Sequence, residues 1–315
     1  MPRLPVDPKP AGPSLAALDL VTLRGIRTAL AAFGLRLRHS RGQHFLVSRR
    51  ILDRVLAAAE VTADDVILEI GAGIGTLTVA LAQAGARVIA VEVDPRFIPV
   101  LRAACGPYPR VRILHADAMD LTPAMLPERP SKVVANLPYS IASPLLITLL
   151  ESDVGRRLVV MVQAEVAARI VAQPGSKTYG LLSVAVQGYA SPKVVRRVPR
   201  SAFFPPPQVV SAIVRLDVRD ELPLARDQMP ALMAVARAAF GQRRKMLRSA
   251  LQRIRDVRRS AEEVEARCRA AGIDPRRRGE SLSVAEFARL AQAFVSTPST
   301  EGERQFRIDG LEDAC

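Results

Sequence analysis

The sequence is poor in the residues that most often mark secreted or metal-binding proteins. It has no tryptophan, and aromatic residues make up 4% of its 315 positions. The three cysteines, Cys105, Cys268 and Cys315, lie far apart without a Cys-x-x-Cys pair, which predicts a protein of the reducing cytoplasm rather than a disulfide-stabilised secreted one. The three histidines show no metal-ligand spacing, so we expect neither a structural nor a catalytic metal.

Long apolar runs are also absent. The hydrophobic stretches are short and interrupted by charge, so we expect no membrane-spanning segment. The first residues lack the apolar core of a secretory signal. With 49% hydrophobic residues, the chain can nevertheless bury a substantial core, and its length predicts two domains.

Acidic residues are in the minority, and the basic excess is concentrated in one half of the chain. The formal net charge is +14, and residues 191–278 carry 21 Lys and Arg against 9 Asp and Glu, a net +12. A polyanion is the natural partner of such a surface, because each neutralised phosphate releases counterions. A basic composition can also follow from genomic base bias, but clustering in one half favours nucleic acid.

From residue 66 onward, short β runs alternate with amphipathic helices, which predicts a doubly wound α/β sheet with a terminal hairpin. After about residue 220 the strand pattern stops, and four helices are predicted, at residues 227–240, 243–254, 261–271 and 284–294. We therefore expect four regions in the chain. They are an N-terminal arm and helix (1–36), an α/β domain (37–219), a smaller all-helical domain (220–296) and a flexible tail (297–315).

A glycine-rich turn follows the first predicted strand of the α/β domain. Gly71 opens the Gly-Ala-Gly-Ile-Gly run, and Glu92 ends the next strand, where a carboxylate can accept hydrogen bonds from both ribose hydroxyls of a nucleotide. The glycine spacing departs from the Gly-x-Gly-x-x-Gly pattern of NAD sites and favours S-adenosylmethionine. The alternative is a glycine turn needed for packing alone.

Two further polar residues end the strands that follow. Asp117 comes after the third strand, where its carboxylate can either accept from an adenine amino group or cap the next turn. Asn136 ends the fourth strand and begins the sequence Asn-Leu-Pro-Tyr. Because Pro138 cannot continue a central strand, the chain leaves the sheet here and presents an amide and a phenol ring. Since each of these residues closes a successive strand, we expect them to converge on one edge of the sheet.

These motifs together resemble the bacterial ribosomal RNA adenine-N6 dimethyltransferase family (KsgA/RsmA), from about Leu35 to Phe294. The resemblance is carried by GQHFL (42–46), EIGAGIGTLT (69–78), EVD (92–94), DAM (117–119), NLPYSIASPLL (136–146), KTYGLLSVAVQ (177–187), SAFFPPPQVVSAIVRL (201–216), FGQRRKMLR (240–248) and GIDPRRRGESLSVAEFARL (272–290). It implies a Rossmann-like class I S-adenosylmethionine-dependent methyltransferase domain followed by a helical RNA-binding domain.

The resemblance also implies which residues form the site. The cofactor residues are expected to be His44, Leu46, Gly71, Glu92, Asp117 and Asn136, although the family usually has Asn where this chain has His44. Asn136 and the carbonyl of Leu137 are expected to accept the two N–H bonds of the target amine. Tyr139, following Pro138, is expected to stack on one face of the adenine, and Phe203 to support the other.

The implied substrate is a pair of adjacent adenosines near the 3′ end of small-subunit ribosomal RNA, dimethylated within an assembling particle by a cytoplasmic, monomeric enzyme. The target base must be unstacked to enter the site. Helical spacing makes Arg243, Arg244, Lys245 and Arg248 the leading candidates for phosphate contacts, unless they are merely a solvated helix face. Three basic residues around the start of the α/β domain are expected to flank the substrate path; they are Arg36, Arg38 and Arg41.

Three other functions fit parts of the sequence. A methyltransferase of the antibiotic-resistance type would act on a single large-subunit adenine, but KTYGLLSV and GIDPRRRGESLSV point away from it. A ribosome-assembly or RNA-binding factor could keep the fold without catalysis. The presence of all the expected site residues argues against binding alone; they are Gly71, Glu92, Asp117, Asn136 and Tyr139. A DNA adenine methyltransferase is the weakest alternative.

Overall fold

The structure is a computed structural model that describes residue 15 and residues 17–36, 43–254 and 257–295. The expected flexible tail, Arg38, Arg41 and most of the expected N-terminal arm lie outside the described residues.

The strands of the described chain fall into one large sheet and two short pairs. They are β1 (Phe45–Leu46), β2 (Val66–Ile70), β3 (Arg87–Glu92), β4 (Val111–His115), β5 (Lys132–Asn136), β6 (Arg157–Gln163), β7 (Ala190–Val198), β8 (Phe203–Phe204), β9 (Ser211–Val218), β10 (Arg253–Ile254) and β11 (Val257–Arg258).

The helices flank the sheet strands in the first part of the chain and follow one another in the last part. They are α1 (Leu23–Ala32), α2 (Arg49–Ala59), α3 (Thr76–Gln83), α4 (Ile98–Cys105), α5 (Ala142–Glu151), α6 (Ala164–Ile170), α7 (Leu181–Tyr189), α8 (Met229–Gly241), α9 (Leu247–Ala250), α10 (Ala261–Ala270) and α11 (Val284–Val295).

The large sheet has seven strands in the order β4-β3-β2-β5-β6-β9-β7. Strands β2 to β6 are parallel to one another, and β9 pairs antiparallel with β6. This arrangement confirms the predicted doubly wound sheet. Strand order reverses between β2 and β5, and ligands bind outside the carboxyl ends of strands at such a reversal.

The central strands are buried on both faces, which explains their continuous apolar sequences. All five residues of β2 are buried, and β5 and β6 are buried except at their ends. Glu69 is a carboxyl group within this apolar run and is 2% exposed. Its position next to the glycine turn makes it part of the site described below.

The chain divides into two compact units. The first contains residues 1–167 and 192–218, and the second contains residues 168–191 and 219–315. Residues 168–191, assigned from the sequence to the α/β domain, therefore belong with the helices after residue 219. Their helix α7 was not predicted, because its apolar residues resemble a buried strand as much as a helix.

Aromatic residues and hydrogen bonds hold the second unit together. The buried ring of Tyr179 contacts Phe240 edge-on at 5.9 Å, and Phe240 in turn contacts Phe287 at 5.8 Å. The Tyr179 hydroxyl donates to the carbonyl of Leu282 at 2.8 Å. The motifs KTYGLLSV and GIDPRRRGESLSV thus meet in the core of this unit, and part of their sequence pattern serves packing.

The predicted helix over residues 243–254 is wrong. Helix α8 ends at Gly241, residues 242–246 form a turn, and only the four residues of α9 are helical before β10. Tertiary bonds compete with the helix here, because the backbone N–H groups of Leu247 and Arg248 donate to the carbonyls of Arg277 and Pro275. The basic residues of this stretch therefore do not share a helix face.

The described residues bear on two expected absences, that of a membrane span and that of a metal site. None of the helices in this part of the chain combines the length and apolar character needed to cross a bilayer. No group of three or more His, Cys, Asp or Glu residues there is arranged to hold a metal; the absence of a metal stays a prediction. Cys105 and Cys268 are buried free thiols, and Cys315 lies outside the described residues.

Candidate active site

A cavity of about 330 Å³ lies at the carboxyl edge of the sheet, within the first unit. Residues at the ends of β2, β3 and β5 line it, as does Asp117, two residues after the end of β4. Its lining includes most of the residues expected from the sequence: His44, Leu46, Gly71, Glu92, Asp117, Asn136, Leu137, Pro138 and Tyr139. The structure therefore brings together side chains that are separated by almost one hundred positions in the chain.

The glycine turn after β2 forms one wall of the cavity. Gly71 and Gly73 have φ angles of +73° and +56°, a region that side chains disfavour. A Cβ at Gly73 would also lie 3.0 Å from the Phe45 ring. Glycine is needed at this turn for both its backbone conformation and the close approach of β1.

Glu92 is held in a fixed orientation at the end of β3. It is 6% exposed, and its two carboxylate oxygens accept backbone N–H bonds from Gly73 at 2.7 Å and Asp94 at 2.8 Å. Each oxygen retains a second lone pair that can accept from a ligand hydroxyl. Burial raises the pKa of Glu92, and the two backbone donors oppose that shift.

Glu69 was not predicted as a site residue, although it precedes the glycine turn and lines the cavity. Burial, with a smaller contribution from the charge of Glu92, raises the pKa of Glu69 to about 8. Its Oε2 atom has no hydrogen-bond partner within the described residues. A buried polar atom without a partner is costly, so this carboxyl group is suited to a ligand donor. A carboxyl group at the end of a buried strand was the available sequence signal.

Asp117 caps the short turn that follows β4 and also lines the cavity. Its Oδ1 atom accepts from the N–H of Met119 at 2.9 Å, so the capping role considered from the sequence is present. The carboxylate is exposed and retains a second oxygen toward the cavity. Gln43, another lining residue missed from the sequence, donates to Asp94 at 3.1 Å.

The carboxamide of Asn136 has a defined orientation. Its Nδ2 atom donates to the main-chain carbonyl of His44 at 3.1 Å. Because a carbonyl can only accept, the amide nitrogen must face His44, and Oδ1 is left as the acceptor for a ligand. The residue that was predicted to hold an amine therefore presents an acceptor oxygen.

Tyr139 is anchored through its hydroxyl. The phenol oxygen lies 2.6 Å from Oγ of Ser211, a fully buried residue that begins β9. Burial raises the pKa of Tyr139 against the opposing hydrogen bond, which keeps the phenol neutral. Ser211 was missed, since nothing in its local sequence distinguishes an anchoring serine from one that merely starts a strand.

The aromatic partner of Tyr139 in the structure is His44 rather than Phe203. The rings of His44 and Tyr139 stack with centroids 5.8 Å apart and planes inclined by 28°. Phe203 is 3% exposed, packs in the hydrophobic core and lies outside the cavity. In this structure its ring is therefore not placed to support a base, because pairing of β8 with β1 at Leu46 turns it inward.

The donors and acceptors of the cavity fit S-adenosylmethionine. The glycine-rich turn permits close approach of the ligand. Glu92 offers acceptors for ribose hydroxyls. The unpartnered Oε2 of Glu69 suits an ammonium donor. Asp117 offers an acceptor for an exocyclic amine. The ring of His44 bonds to the Pro205 carbonyl and stacks on Tyr139. Its main chain is therefore the more suitable contact for the cofactor.

The basic residues predicted to contact RNA differ in their environments in the second unit. Arg243 pairs with Glu280 at 3.0 Å and donates to the carbonyl of Lys177. Arg248 lies 3.6 Å from Glu265. Arg244 and Lys245 are exposed in the turn after α8. Arg36, in the first unit, is also exposed.

Comparison with known proteins places the chain in a family. The sequence model described as "Ribosomal RNA adenine dimethylase" matches residues 34–295. The chain belongs to this family. A ribosomal RNA small subunit methyltransferase A of Geobacillus thermodenitrificans is 41% identical over 285 residues, covering 88% of this chain and 97% of the relative. A protein of the same name from Phenylobacterium zucineum is 42% identical over 292 residues, covering 91% and 99%.

Solved structures agree with this family assignment. A dimethyladenosine transferase from Plasmodium falciparum matches with a TM-score of 0.65 and 28% identity, covering 78% of this chain and 96% of the other. The 23S rRNA methyltransferase ErmE matches with a TM-score of 0.61 and 28% identity, covering 79% and 98%. These matches confirm the predicted methyltransferase fold. S-adenosylmethionine is accordingly the methyl donor of this rRNA adenine methyltransferase.

Proposed function

We propose that this chain transfers methyl groups from S-adenosylmethionine to the N6 amines of two adjacent adenosines near the 3′ end of small-subunit (16S) ribosomal RNA. The observation that carries the proposal is the orientation of Asn136, whose Oδ1 is left to accept from an amine at the edge of a nucleotide-type cavity. The relatives named small subunit methyltransferase A support this choice of ribosomal RNA.

S-adenosylmethionine supplies an electrophilic methyl group when it is bound. In this proposal the main chain at Gly71, Leu46 and His44 and the carboxylates of Glu92 and Asp117 hold the donor. These groups lie on a rigid strand-end scaffold, so binding costs little reorganisation. Glu69 adds a buried carboxyl group beneath the glycine turn.

The exocyclic nitrogen of adenine is a poor nucleophile, because its lone pair is delocalised into the ring. If Asn136 Oδ1 and the carbonyl of Leu137 accept its two N–H bonds, the nitrogen is drawn toward tetrahedral geometry and its lone pair becomes available. Both acceptors also stabilise the positive charge that develops on the amine. No strong general base is needed, since the methylated amine is cationic and acidic.

The second methylation places a different demand on the site. A monomethylated amine retains one N–H donor, so it can bond to Asn136 or Leu137 but not to both. The stacking surface of Tyr139 must then contribute more to holding the base. Pro138 supports this geometry because it cannot continue β5 beyond its end at Asn136, so the chain leaves the sheet immediately before the ring.

The test is methyl transfer to purified small ribosomal subunits that lack the modification. We expect labelled methyl groups to appear as N6,N6-dimethyladenosine at two adjacent positions near the 3′ end of the RNA, mapped by mass spectrometry. Unmethylated large subunits are the control substrate. Dimethyladenosine confined to large-subunit RNA, or absent from both, would contradict the proposal, the latter favouring a binding or assembly factor.

The finer features of the proposal concern where the enzyme acts. We propose that it acts in the cytoplasm as a monomer, on a small-subunit particle that is still assembling, and thereby contributes to subunit biogenesis. Basic side chains of the second unit can contact the phosphates of the RNA in such a particle. The residues best placed for them are Arg244 and Lys245, which are exposed in the turn after α8.

Arg243 and Arg248 are also proposed to face RNA, but their ion pairs give them a second role in the second unit. Arg243 ties the turn to Glu280 and the Lys177 carbonyl. Replacing it would therefore disturb structure as well as charge. A test of phosphate binding should use the exposed pair instead.

The double variant Arg244→Ala/Lys245→Ala is expected to bind small subunits more weakly. Each lost phosphate contact should reduce the slope of log K against log salt by about one. The measurement is subunit affinity across a salt series. Arg50→Ala/Arg54→Ala is the matched control, because it removes two exposed positive charges from α2. An unchanged slope in the first variant, or an equal change in both, would contradict the assignment.

A further inference from the structure

The segment Pro205-Pro206-Pro207, between β8 and β9, has no backbone N–H group with which to bond to the rest of the protein. Proline has no backbone N–H, so three successive prolines can only accept hydrogen bonds. Within the part of the chain that the structure describes, two hydrogen bonds reach the carbonyls of this segment, and both come from side chains. His44 Nδ1 lies 2.7 Å from the Pro205 carbonyl, and Arg200 Nε donates to the Pro207 carbonyl at 2.6 Å.

The bond to Pro205 shows that the Nδ1 atom of His44 acts as a donor. Because a carbonyl has no proton to donate, Nδ1 must carry the hydrogen. The ring is thereby held against the face of Tyr139, with centroids 5.8 Å apart. The hydroxyl of Tyr139 is held separately by Ser211. Contact with His44 therefore restricts movement of the Tyr139 ring itself.

The spacing of the two rings also shows which side of Tyr139 a base can use. Stacked bases lie about 3.4 Å apart, so a base between two rings needs roughly twice that separation. The observed 5.8 Å is too short. His44 therefore backs the Tyr139 ring, and a target adenine stacks on the opposite face.

His44 meets the catalytic sequence at a second point. Its main-chain carbonyl accepts from Asn136 Nδ2 and so sets the orientation of Oδ1. A single residue thus contacts Asn136 with its main chain, and Tyr139 and Pro205 with its ring. Movement of the ring away from Pro205 would remove the support that His44 gives to one face of Tyr139.

We infer that His44 and Arg200 are positioning residues for the target adenine, acting as the side-chain donors that fix the triple-proline segment. The inference rests on the proposed function. What position 44 must supply is the N–H donor to Pro205; the aromatic ring alone does not suffice. Arg200 acts through its Nε bond to the same segment.

Three variants at one position separate the donor from the ring. His44→Asn retains an N–H near the position of Nδ1 and loses the ring, His44→Phe retains a ring and loses the donor, and His44→Ala loses both. We expect His44→Asn to keep kcat within about threefold of the wild type. His44→Phe and His44→Ala should each lose about tenfold or more, because the half-buried carbonyl of Pro205 loses its hydrogen-bond donor. The affinity for S-adenosylmethionine should change little in all three.

The ratio of products gives a readout that a loss of folded enzyme cannot imitate. At matched total methylation, His44→Phe and His44→Ala should accumulate N6-monomethyladenosine, because the second transfer depends most on the stacking wall. Arg200→Ala should show the same direction of change. Arg197→Ala is the matched control, since it removes an exposed positive charge from β7, and its kcat and product ratio should equal those of the wild type.

The outcomes distinguish this inference from the proposed function. If the wild type fails to dimethylate small subunits, the function itself is contradicted. If the wild type is active but His44→Phe retains full kcat, or His44→Asn is as impaired as His44→Ala, the donor role is overturned. A variant series that alters cofactor affinity instead of kcat would assign His44 to the cofactor and also overturn it.

Discussion

Asn136→Ala is expected to lower kcat for methyl transfer by about 10²–10³-fold, the range seen when one oriented electrostatic partner of a reacting centre is removed. The wild-type carboxamide is preorganised, because its nitrogen is already bonded to the His44 carbonyl at 3.1 Å. Oδ1 therefore needs no rotation to accept from the amine. Alanine removes this acceptor and leaves only the Leu137 carbonyl.

The measurement is a single-turnover rate on unmethylated small subunits, together with calorimetric binding of S-adenosylmethionine. Cofactor affinity should stay close to that of the wild type, because Glu92 and the glycine turn are unchanged. Asn136→Asp is a useful second variant. It keeps an acceptor oxygen but places a carboxylate against the His44 carbonyl, so its rate should lie between those of alanine and the wild type.

Unchanged turnover in Asn136→Ala would overturn the role assigned to the carboxamide. A loss of cofactor affinity without a loss of single-turnover rate at saturating cofactor would instead make Asn136 a cofactor contact, the second role expected for it from the sequence.

Glu92→Gln is expected to weaken S-adenosylmethionine binding by roughly 10–100-fold, the range for losing hydrogen bonds to a charged acceptor. The carboxylate also accepts from the backbone N–H groups of Gly73 and Asp94. An amide offers one acceptor oxygen for these two donors, so its NH₂ group must oppose one of them. Both the ligand contact and the shape of the glycine turn are therefore affected.

The pH dependence of wild-type affinity provides an independent check on Glu92. Burial raises its pKa, so the carboxylate becomes protonated at a higher pH than an exposed glutamate. Affinity should be complete above this raised pKa and should fall as the pH is lowered through it. In Glu92→Gln this loss of affinity at low pH should be absent, and any pH dependence that remains near pH 8 is assigned to Glu69, which lines the same cavity. Equal affinities for the variant and the wild type, or identical pH profiles, would contradict a ligand role for the carboxylate.

The sheet and its site edge were largely predictable from the sequence. Strands β2 and β3 begin and end where the apolar pattern predicted, because fully buried parallel strands have continuous apolar sequences. Once the strands are known, their carboxyl ends must share one edge. The convergence of Gly71, Glu92, Asp117 and Asn136 follows from that topology, and the cavity contains all four.

The helical part of the chain was less predictable. Residues 243–254 have helix-forming composition, yet the backbone N–H groups of Leu247 and Arg248 donate to the loop at 275–277 and not to carbonyls four residues earlier, so no continuous helix runs through residues 243–247. Tertiary hydrogen bonds of this kind have no local sequence signal. The same limitation applies to Arg243, whose ion pair with Glu280 joins residues 37 positions apart.

The sequence by itself determined the family, the doubly wound sheet and the identity of the residues at the strand ends, since apolar periodicity and local motifs are properties of neighbouring residues. The tertiary structure alone decided how those residues are oriented. It turned Asn136 Oδ1 toward the cavity through a bond to His44, buried Phe203 in the core and placed His44 against Tyr139. Each of these depends on contacts between distant segments, and a hydrogen bond or ring contact exists only when the fold brings both partners within a few ångströms.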